Sequence, residues 1–256
     1  MKSLVLLKQT FDTEEKIVLA NGKVSESKVT FVINPYDEYA IEEAVAIKEK
    51  HGGEVTVVTI GPSRVENSLR HALAMGADKG IIVEDDESVC ADEYIISKVL
   101  AAVAKRDSYD LILSGYMSVD NGSAQVGPRL AEEMGIPQIT TITNLKVENG
   151  KVLAEKDMEG DLEIIEAQLP VLVTAQQGLN EPRYPSLPGI MKAKKKPLEK
   201  LSLADLGLNL EEVESKTEVL DYYLPPQKTA GKILEGEIPQ QVTDLVKALR
   251  LEEKVV

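Results

Sequence analysis

The sequence predicts an α/β protein built on a mostly parallel, doubly wound sheet. Short apolar, β-rich runs recur at residues 4–7, 29–33, 55–60, 80–83 and 111–113, and helical patterns lie between most of them. That alternation is the signature of a parallel sheet covered on both faces. The 256 residues are 43% hydrophobic, enough to fill the space between sheet and helices.

Each element has its own local reason. The apolar run at 4–7 is only four residues long, far short of a membrane span of about 20 residues, and reads as a buried first strand. After the run at 29–33, Asn34-Pro35 puts a capping side chain before a proline at the first helical position. Ala40, Ile41, Ala44, Val45 and Ile47 then follow at helical spacing until Gly52-Gly53 stops the pattern. Pro62 opens a second helix carrying Leu69, Leu73 and Met75 and ending at Gly76; a third is expected at about 91–105. The fourth spans about 123–134, closed by Gly135 with Pro137 two residues on.

Beyond Pro137 the apolar period changes to two, at 139–147, 152–155 and 162–169, with Asn149-Gly150 between the first two. Asn-Gly between alternating runs signals a hairpin, so an antiparallel extension is expected. From Gln176 onward, prolines at 182, 185, 188 and 197 break regular structure, and Lys192, Lys194, Lys195 and Lys196 form a basic run. This reads as a long structured loop or a docking surface. The tail after Pro197 offers a weak helix at 203–206 stopped by Gly207, a Pro225-Pro226 linker, and an amphipathic helix with Val242, Leu245, Val246 and Leu249. It has too little apolar material for a second core and is expected to wrap around something.

Composition excludes several functions. The net charge of −14 repels phosphate backbones and anionic lipid, so neither nucleic acid binding nor direct membrane insertion is expected. With an aromatic content of 4% there is little from which to build a stacking platform for single strands. Cys90 alone cannot form an internal disulfide, and with His51 and His71 it falls short of a structural zinc set, which fits a reducing compartment. His51 and His71 read as helix-surface residues and Cys90 as a small apolar residue near a helix start. Glu84-Asp85-Asp86-Glu87 reads as a solvated acidic loop rather than a cation site. No G-x-G-x-x-G follows the first strand, and no G-x-x-x-x-G-K-[ST] or G-x-S-x-G occurs. A stand-alone nucleotide-binding stress protein would leave the tail unexplained. An adenylating pyrophosphatase would need a Ser-Gly-Gly-x-Asp-Ser loop that Ser114-Gly115-Tyr116 does not supply.

In an open parallel sheet, ligands bind beyond the carboxyl ends of the strands. Residues 8–13, 34–37, 61–63 and 115–127 reach that edge here. In the last of these, small and polar residues precede a helix, a composition that lets backbone N–H groups approach a phosphate and that ordinary glycine-containing loops share. Further on, Leu187 stands between Pro185 and Pro188, followed by Ile190 and Met191. It fits a recognition anchor and a buried plug equally well.

The stretch Leu179-Asn180-Glu181-Pro182-Arg183-Tyr184, continuing through Leu187-Pro188 to Ile190-Met191-Lys192-Ala193-Lys194-Lys195-Lys196, resembles the beta subunit of electron transfer flavoprotein. The segment from Ala154 to Ile165, with Pro170 and Thr174, is similar to that family's signature. Lys8-Gln9, Asn34-Pro35-Tyr36-Asp37, Ala72-Leu73-Ala74-Met75-Gly76-Ala77-Asp78 and Gln125-Val126-Gly127-Pro128 match in order, so the likeness covers nearly the whole chain.

The resemblance implies an adenine nucleotide alpha hydrolase-like (Rossmann-like) fold. It divides the chain into an adenine-nucleotide-binding domain at 1–178, a partner-recognition loop within that domain at 179–200, and an arm at 201–256 wrapping an alpha subunit. It implies an electron carrier rather than an enzyme, with FAD held mainly by the alpha subunit and a structural AMP. The AMP site would comprise Leu6, Asn34, Pro35, Tyr36, Asp37, Ile60, Gly61, Pro62, Ser63, Asp120, Asn121, Gly122, Ser123, Ala124, Gln125 and Val126, with Thr13 and Tyr36 nearest the flavin. Leu187, with Tyr184, Pro188, Ile190 and Met191, would dock to acyl-CoA dehydrogenases, and Asp157 would pair with the alpha subunit's mobile FAD domain. Electrons would pass to a membrane electron transfer flavoprotein-quinone oxidoreductase, serving fatty-acid β-oxidation in a bacterial-type cytoplasm. The loop at 120–125 is also partly similar to bifurcating members, in which a second FAD replaces AMP and NADH is oxidised.

Overall fold

The computed structural model describes residues 1–27, 29–85, 92–208, 214–228 and 230–255. Cys90, Asp86, Glu87 and the expected start of the third helix at 91 lie outside them.

The first strand, β1 (Lys2–Leu6), is central. Its side chains alternate between two cores, Val5 packing with Val57, Leu113, Ile41 and Leu73, and Leu4 with Val58, Ile112, Val99 and Leu130. The chain continues through the short strands β2 (Gln9–Phe11), β3 (Leu19–Ala20), β4 (Lys23–Val24) and β5 (Phe31–Ile33) into helix α1 (Pro35–His51). Then follow β6 (Glu54–Gly61), a 3-10 turn at Ser63–Val65, α2 (Glu66–Met75), β7 (Lys79–Glu84), α3 (Glu93–Ala104), β8 (Leu111–Gly115) and α4 (Val126–Met134). Next come β9 (Gln138–Glu148), β10 (Lys151–Met158), β11 (Asp161–Gln168), β12 (Val171–Ala175), α5 (Leu187–Ala193) and β13 (Leu198–Leu201).

Among the described residues the main sheet has nine strands in the order β11-β10-β9-β12-β8-β1-β6-β7-β13. The block from β9 through β12, β8, β1, β6 and β7 to β13 is parallel, while β9, β10 and β11 form the expected antiparallel extension. The chain leaves β1 toward β6 and β7, and then crosses to β8 on the other side of β1. The strand order therefore reverses between β1 and β8, which opens a crevice at their carboxyl ends. Helices α1 and α2 cover one face; α3 and α4 cover the other. Truncating a fully buried side chain such as Leu4 or Ile41 to Ala would cost about 2–5 kcal/mol.

Several expectations are corrected. The run at 29–33 is not a strand of the main sheet: β5 pairs antiparallel with β2, because the chain folds back on itself directly after β1. Two strands absent from the sequence pattern, β12 and β13, complete the sheet. The second helix starts at Glu66, since Pro62 and the 3-10 turn precede it. The fourth starts at Val126, because Ala124 takes a left-handed backbone with φ 55° that no helix continues through. Asp85 is buried at the end of β7 rather than solvated.

By their contacts, residues 1–18 and 24–220 form one unit, and residues 19–23 with 221–255 of the described chain fall in a second. The second holds α6 (Ile238–Lys247), whose apolar residues Ile238, Val242, Leu245 and Val246 are exposed. Among the described residues, no helix is long and apolar enough to cross a membrane.

Candidate functional site

The crevice between β1 and β8 is shaped by two buried side chains at the amino end of α1. Asn34 occupies the N-cap position, yet its side chain makes no capping bond. Its Nδ2 donates to the Met117 carbonyl at 2.9 Å and its Oδ1 accepts from the Val119 N–H at 3.2 Å, which pins the loop after β8. One turn on, Asp37 accepts from the Lys8 N–H at 2.7 Å through Oδ2 and from the Gly115 N–H at 2.9 Å through Oδ1. It thereby ties the end of β1 to the end of β8. Burial pushes its carboxyl up to about 7 against the pull of these donors and of Asn34 and the Lys8 ammonium. The approach is so close that a Cβ on Gly115 would lie 2.5 Å from Asp37 Oδ1 and 2.6 Å from Tyr36 Cβ. The half-buried Tyr36 packs edge-on against Tyr116, their centroids 4.6 Å apart.

Across the mouth, Lys8 Nζ donates to Ser118 Oγ at 3.3 Å and pairs with Asp120 at 2.7 Å. Burial raises the Asp120 carboxyl, but the Lys8 ammonium and the neighbouring donors outweigh that and hold it below its ordinary value. The loop is held internally as well: Ser118 Oγ donates to Asn121 Oδ1, which also accepts from the Ser123 N–H, and Gly122 N–H donates to the Ser118 carbonyl. Gly122 and Ala124 both take positive φ, 65° and 55°, turning the chain into α4. The first-turn N–H groups of α4, which have no partner within the helix, therefore stand at the crevice. Beneath them Ser114 Oγ is buried without a hydrogen-bond partner. A Cβ on Gly127 would come within 2.8 Å of Thr174 Cγ2 and 3.3 Å of that hydroxyl. Leu6, Ile60 and Val126 border the core on the α3 and α4 side of the same edge. Gly61, with φ 151°, and Pro62 turn the chain after β6, and Ser63 is exposed.

These features fit an adenosine monophosphate: helix-start amides without partners inside the helix for a phosphate, a buried hydroxyl without a hydrogen-bond partner, and apolar side chains beside them. An open groove of about 520 Å³ lies at the opposite edge of the sheet, lined by Met1, His51, Asp110 and Asn149 among others, away from these loops.

The profile of the electron transfer flavoprotein domain matches residues 21–206. The electron transfer flavoprotein subunit beta of Bacillus subtilis is 55% identical over 257 residues and covers all of both chains. The chain belongs to the electron transfer flavoprotein beta-subunit family. The subunit beta of Bos taurus is 39% identical over 236 residues, 90% of this chain and 91% of that one. A caffeyl-CoA reductase-Etf complex subunit, CarD, of Acetobacterium woodii is 37% identical over 248 residues, 94% and 95% of the two chains. The family role is carriage of electrons.

Within this family frame, the remaining candidates fall at two further places. Asp157 is exposed near the end of β10, opposite Leu162 of β11, and Thr13 is exposed in the loop after β2. The segment after β12 is not wholly a loop. Ser186 Oγ accepts from the Gly189 N–H at 3.1 Å and, with Pro188 in the first turn, starts α5. Leu187 is 79% exposed at its beginning, so it is no buried plug; Tyr184, Ile190 and Met191 are exposed beside it. Lys192, Lys194 and Lys195 face solvent, whereas Lys196 departs from the solvated run: its Nζ donates to the Leu73 carbonyl at 2.8 Å and to that of Ala77. His51 and His71 lie exposed on α1 and α2.

The edge segments 8–13 and 115–127 contain Lys8 and Tyr116, but the sequence gives neither a role. The orphaned Ser114 hydroxyl and the grip of Arg183, within the recognition segment, on Glu42 and Glu49 have no local signal, because each depends on neighbours far along the chain.

Proposed function

We propose that this chain is the beta subunit of a heterodimeric electron shuttle. It binds AMP in the crevice between β1 and β8 and supports an FAD held mainly by an alpha subunit. It receives electrons from acyl-CoA and other flavin dehydrogenases for delivery to a membrane quinone oxidoreductase, within a bacterial cytoplasm. The observation that carries the nucleotide assignment is the convergence, at the point where strand order reverses, of the α4 amino end, the orphaned Ser114 hydroxyl and loops pinned by Asn34 and Asp37. Full-length similarity to a named beta subunit supports the role.

FAD supplies the redox chemistry; AMP supplies none. In this reading, residues 115–126 hold the phosphate, Leu6, Ile60 and Val126 line the base, and Tyr36 and Thr13 approach the flavin edge. Residues 179–200 present Leu187 to the donor, Asp157 meets the alpha subunit's flavin domain, and residues 201–256 clasp the alpha subunit. Leu187→Ala is expected to weaken coupling to the dehydrogenase while bound nucleotide stays constant. An unchanged rate of electron transfer in a dehydrogenase-coupled assay would remove the anchor role.

The similarity to a subunit of a caffeyl-CoA reductase-Etf complex favours a second reading, in which a second FAD takes the place of AMP and NADH is oxidised.

A further inference from the structure

We propose that Arg183 is a positioning residue that holds the recognition segment against α1, so that Leu187 and its neighbours meet a flavin dehydrogenase as a preformed surface. The inference rests on the docking role assigned above to residues 179–200.

Arg183 spends its whole guanidinium on α1. Its Nε donates to Glu42 Oε2 and its Nη2 to Glu42 Oε1, both at 2.8 Å, while Nη1 and Nη2 donate to the two oxygens of Glu49 at 2.7 and 3.0 Å. The Arg183 backbone N–H also donates to Glu42 Oε2 at 3.1 Å, so main chain and side chain are fixed by one carboxylate whose side chain is only 10% exposed. Glu42 and Glu49 stand two turns apart on one helix face, and only a planar fork can grip both at once. Just before it, Asn180 Nδ2 donates to the Tyr39 carbonyl and to Glu43, both at 3.0 Å.

The far end of the segment is tied to α2. Arg70 Nη1 donates to the carbonyls of Ala193 and Lys196 at 2.9 and 3.1 Å, and Lys196 returns a bond to the Leu73 carbonyl. A Cβ on Gly189 would lie 2.7 Å from the Ala74 carbonyl oxygen, so α5 rests directly on α2. Between these anchors, Tyr184 and Leu187 are 96% and 79% exposed, and Met191 is 69% exposed. Polar bonds thus hold the backbone still while large apolar side chains point into water, an arrangement that serves a partner rather than this chain's own core. Exposed Lys192, Lys194 and Lys195 stand beside them on a chain of net charge −14. The matching occupant is an apolar pocket with an acidic rim on the dehydrogenase.

The test uses the heterodimer as varied acceptor for an acyl-CoA dehydrogenase reduced by its acyl-CoA. Arg183→Gln is expected to raise the KM for the heterodimer about tenfold with kcat within about twofold, because ordering of the segment must then accompany docking. Hydrogen exchange of amides 184–193 should accelerate while bound flavin stays constant. Arg183→Lys, which keeps charge but grips one carboxylate, should fall between, and Glu42→Gln with Glu49→Gln should reproduce Arg183→Gln. If Arg183→Gln leaves KM and exchange unchanged while Leu187→Ala raises KM, the positioning role is wrong and the docking reading stands. If neither variant changes KM, the docking reading itself fails. Equal losses of kcat and flavin content in Arg183→Gln would also overturn the inference, since they report general damage.

Discussion

Asp37 keeps a carboxyl group where charge is costly, because two backbone N–H groups, one just past β1 and one at the end of β8, need one acceptor. Its folded-state pKa of about 7 lies above the ordinary carboxylate value of 3.8. Below the lower value both folded and unfolded chains carry the proton, and above the higher neither does. Between them the folded protein holds a proton that the unfolded chain releases, so this residue's contribution to stability declines as pH rises from about 4 to about 7 and is constant above. Asp37→Asn removes the titration. The difference in Tm, variant minus wild type, should therefore grow from pH 5 to pH 7 and level off by pH 8. A difference independent of pH in thermal melts would contradict the burial argument.

At the scale of elements, the amino end of α4 is placed by close packing on β12. Gly127→Ala would drive a methyl to 2.8 Å from Thr174 Cγ2, costing about 1–3 kcal/mol and lifting the helix start from the crevice. Chemical denaturation should show that loss, and AMP retention should fall further than stability does; full retention would separate α4 from the nucleotide site. The same elements show what local pattern conveys. Strands β1, β6, β7 and β8 were legible as apolar runs because a parallel strand is buried on both faces. Strand β12 is equally apolar, but it follows β11 after only Leu169 and Pro170, so the alternating stretch before it conceals where one strand ends and the next begins. Strand β5 has the same apolar look, yet it pairs outside the main sheet, and pairing is a property of distant partners. Asn34 has a capping side chain and sits at the cap position, but its side-chain bonds go to residues 83 and 85 positions away. The carboxyl edge of the sheet, where the candidate site is proposed, was legible as loop segments; the staples that shape it were not, since neither end of such a bond marks the other.

The molecule as a whole is anionic, and its exposed lysines at 192, 194 and 195 are local exceptions beside an apolar surface. Raising ionic strength should slow association with a dehydrogenase more than it slows turnover, because exposed charges are screened over about 10 Å at 0.1 M salt. Stopped-flow traces whose association rate ignores salt would assign those lysines to solvation alone. The crevice and the family similarity are what support the proposal that this chain holds an AMP and completes an FAD-bearing heterodimer. The most direct measurement is to co-purify the chain with its alpha subunit, denature the complex and quantify the released nucleotides by chromatography. The account predicts one FAD and one AMP per heterodimer. Two FAD and no AMP would move the protein to the bifurcating reading, and the absence of any adenine nucleotide beyond the single FAD would contradict the site between β1 and β8.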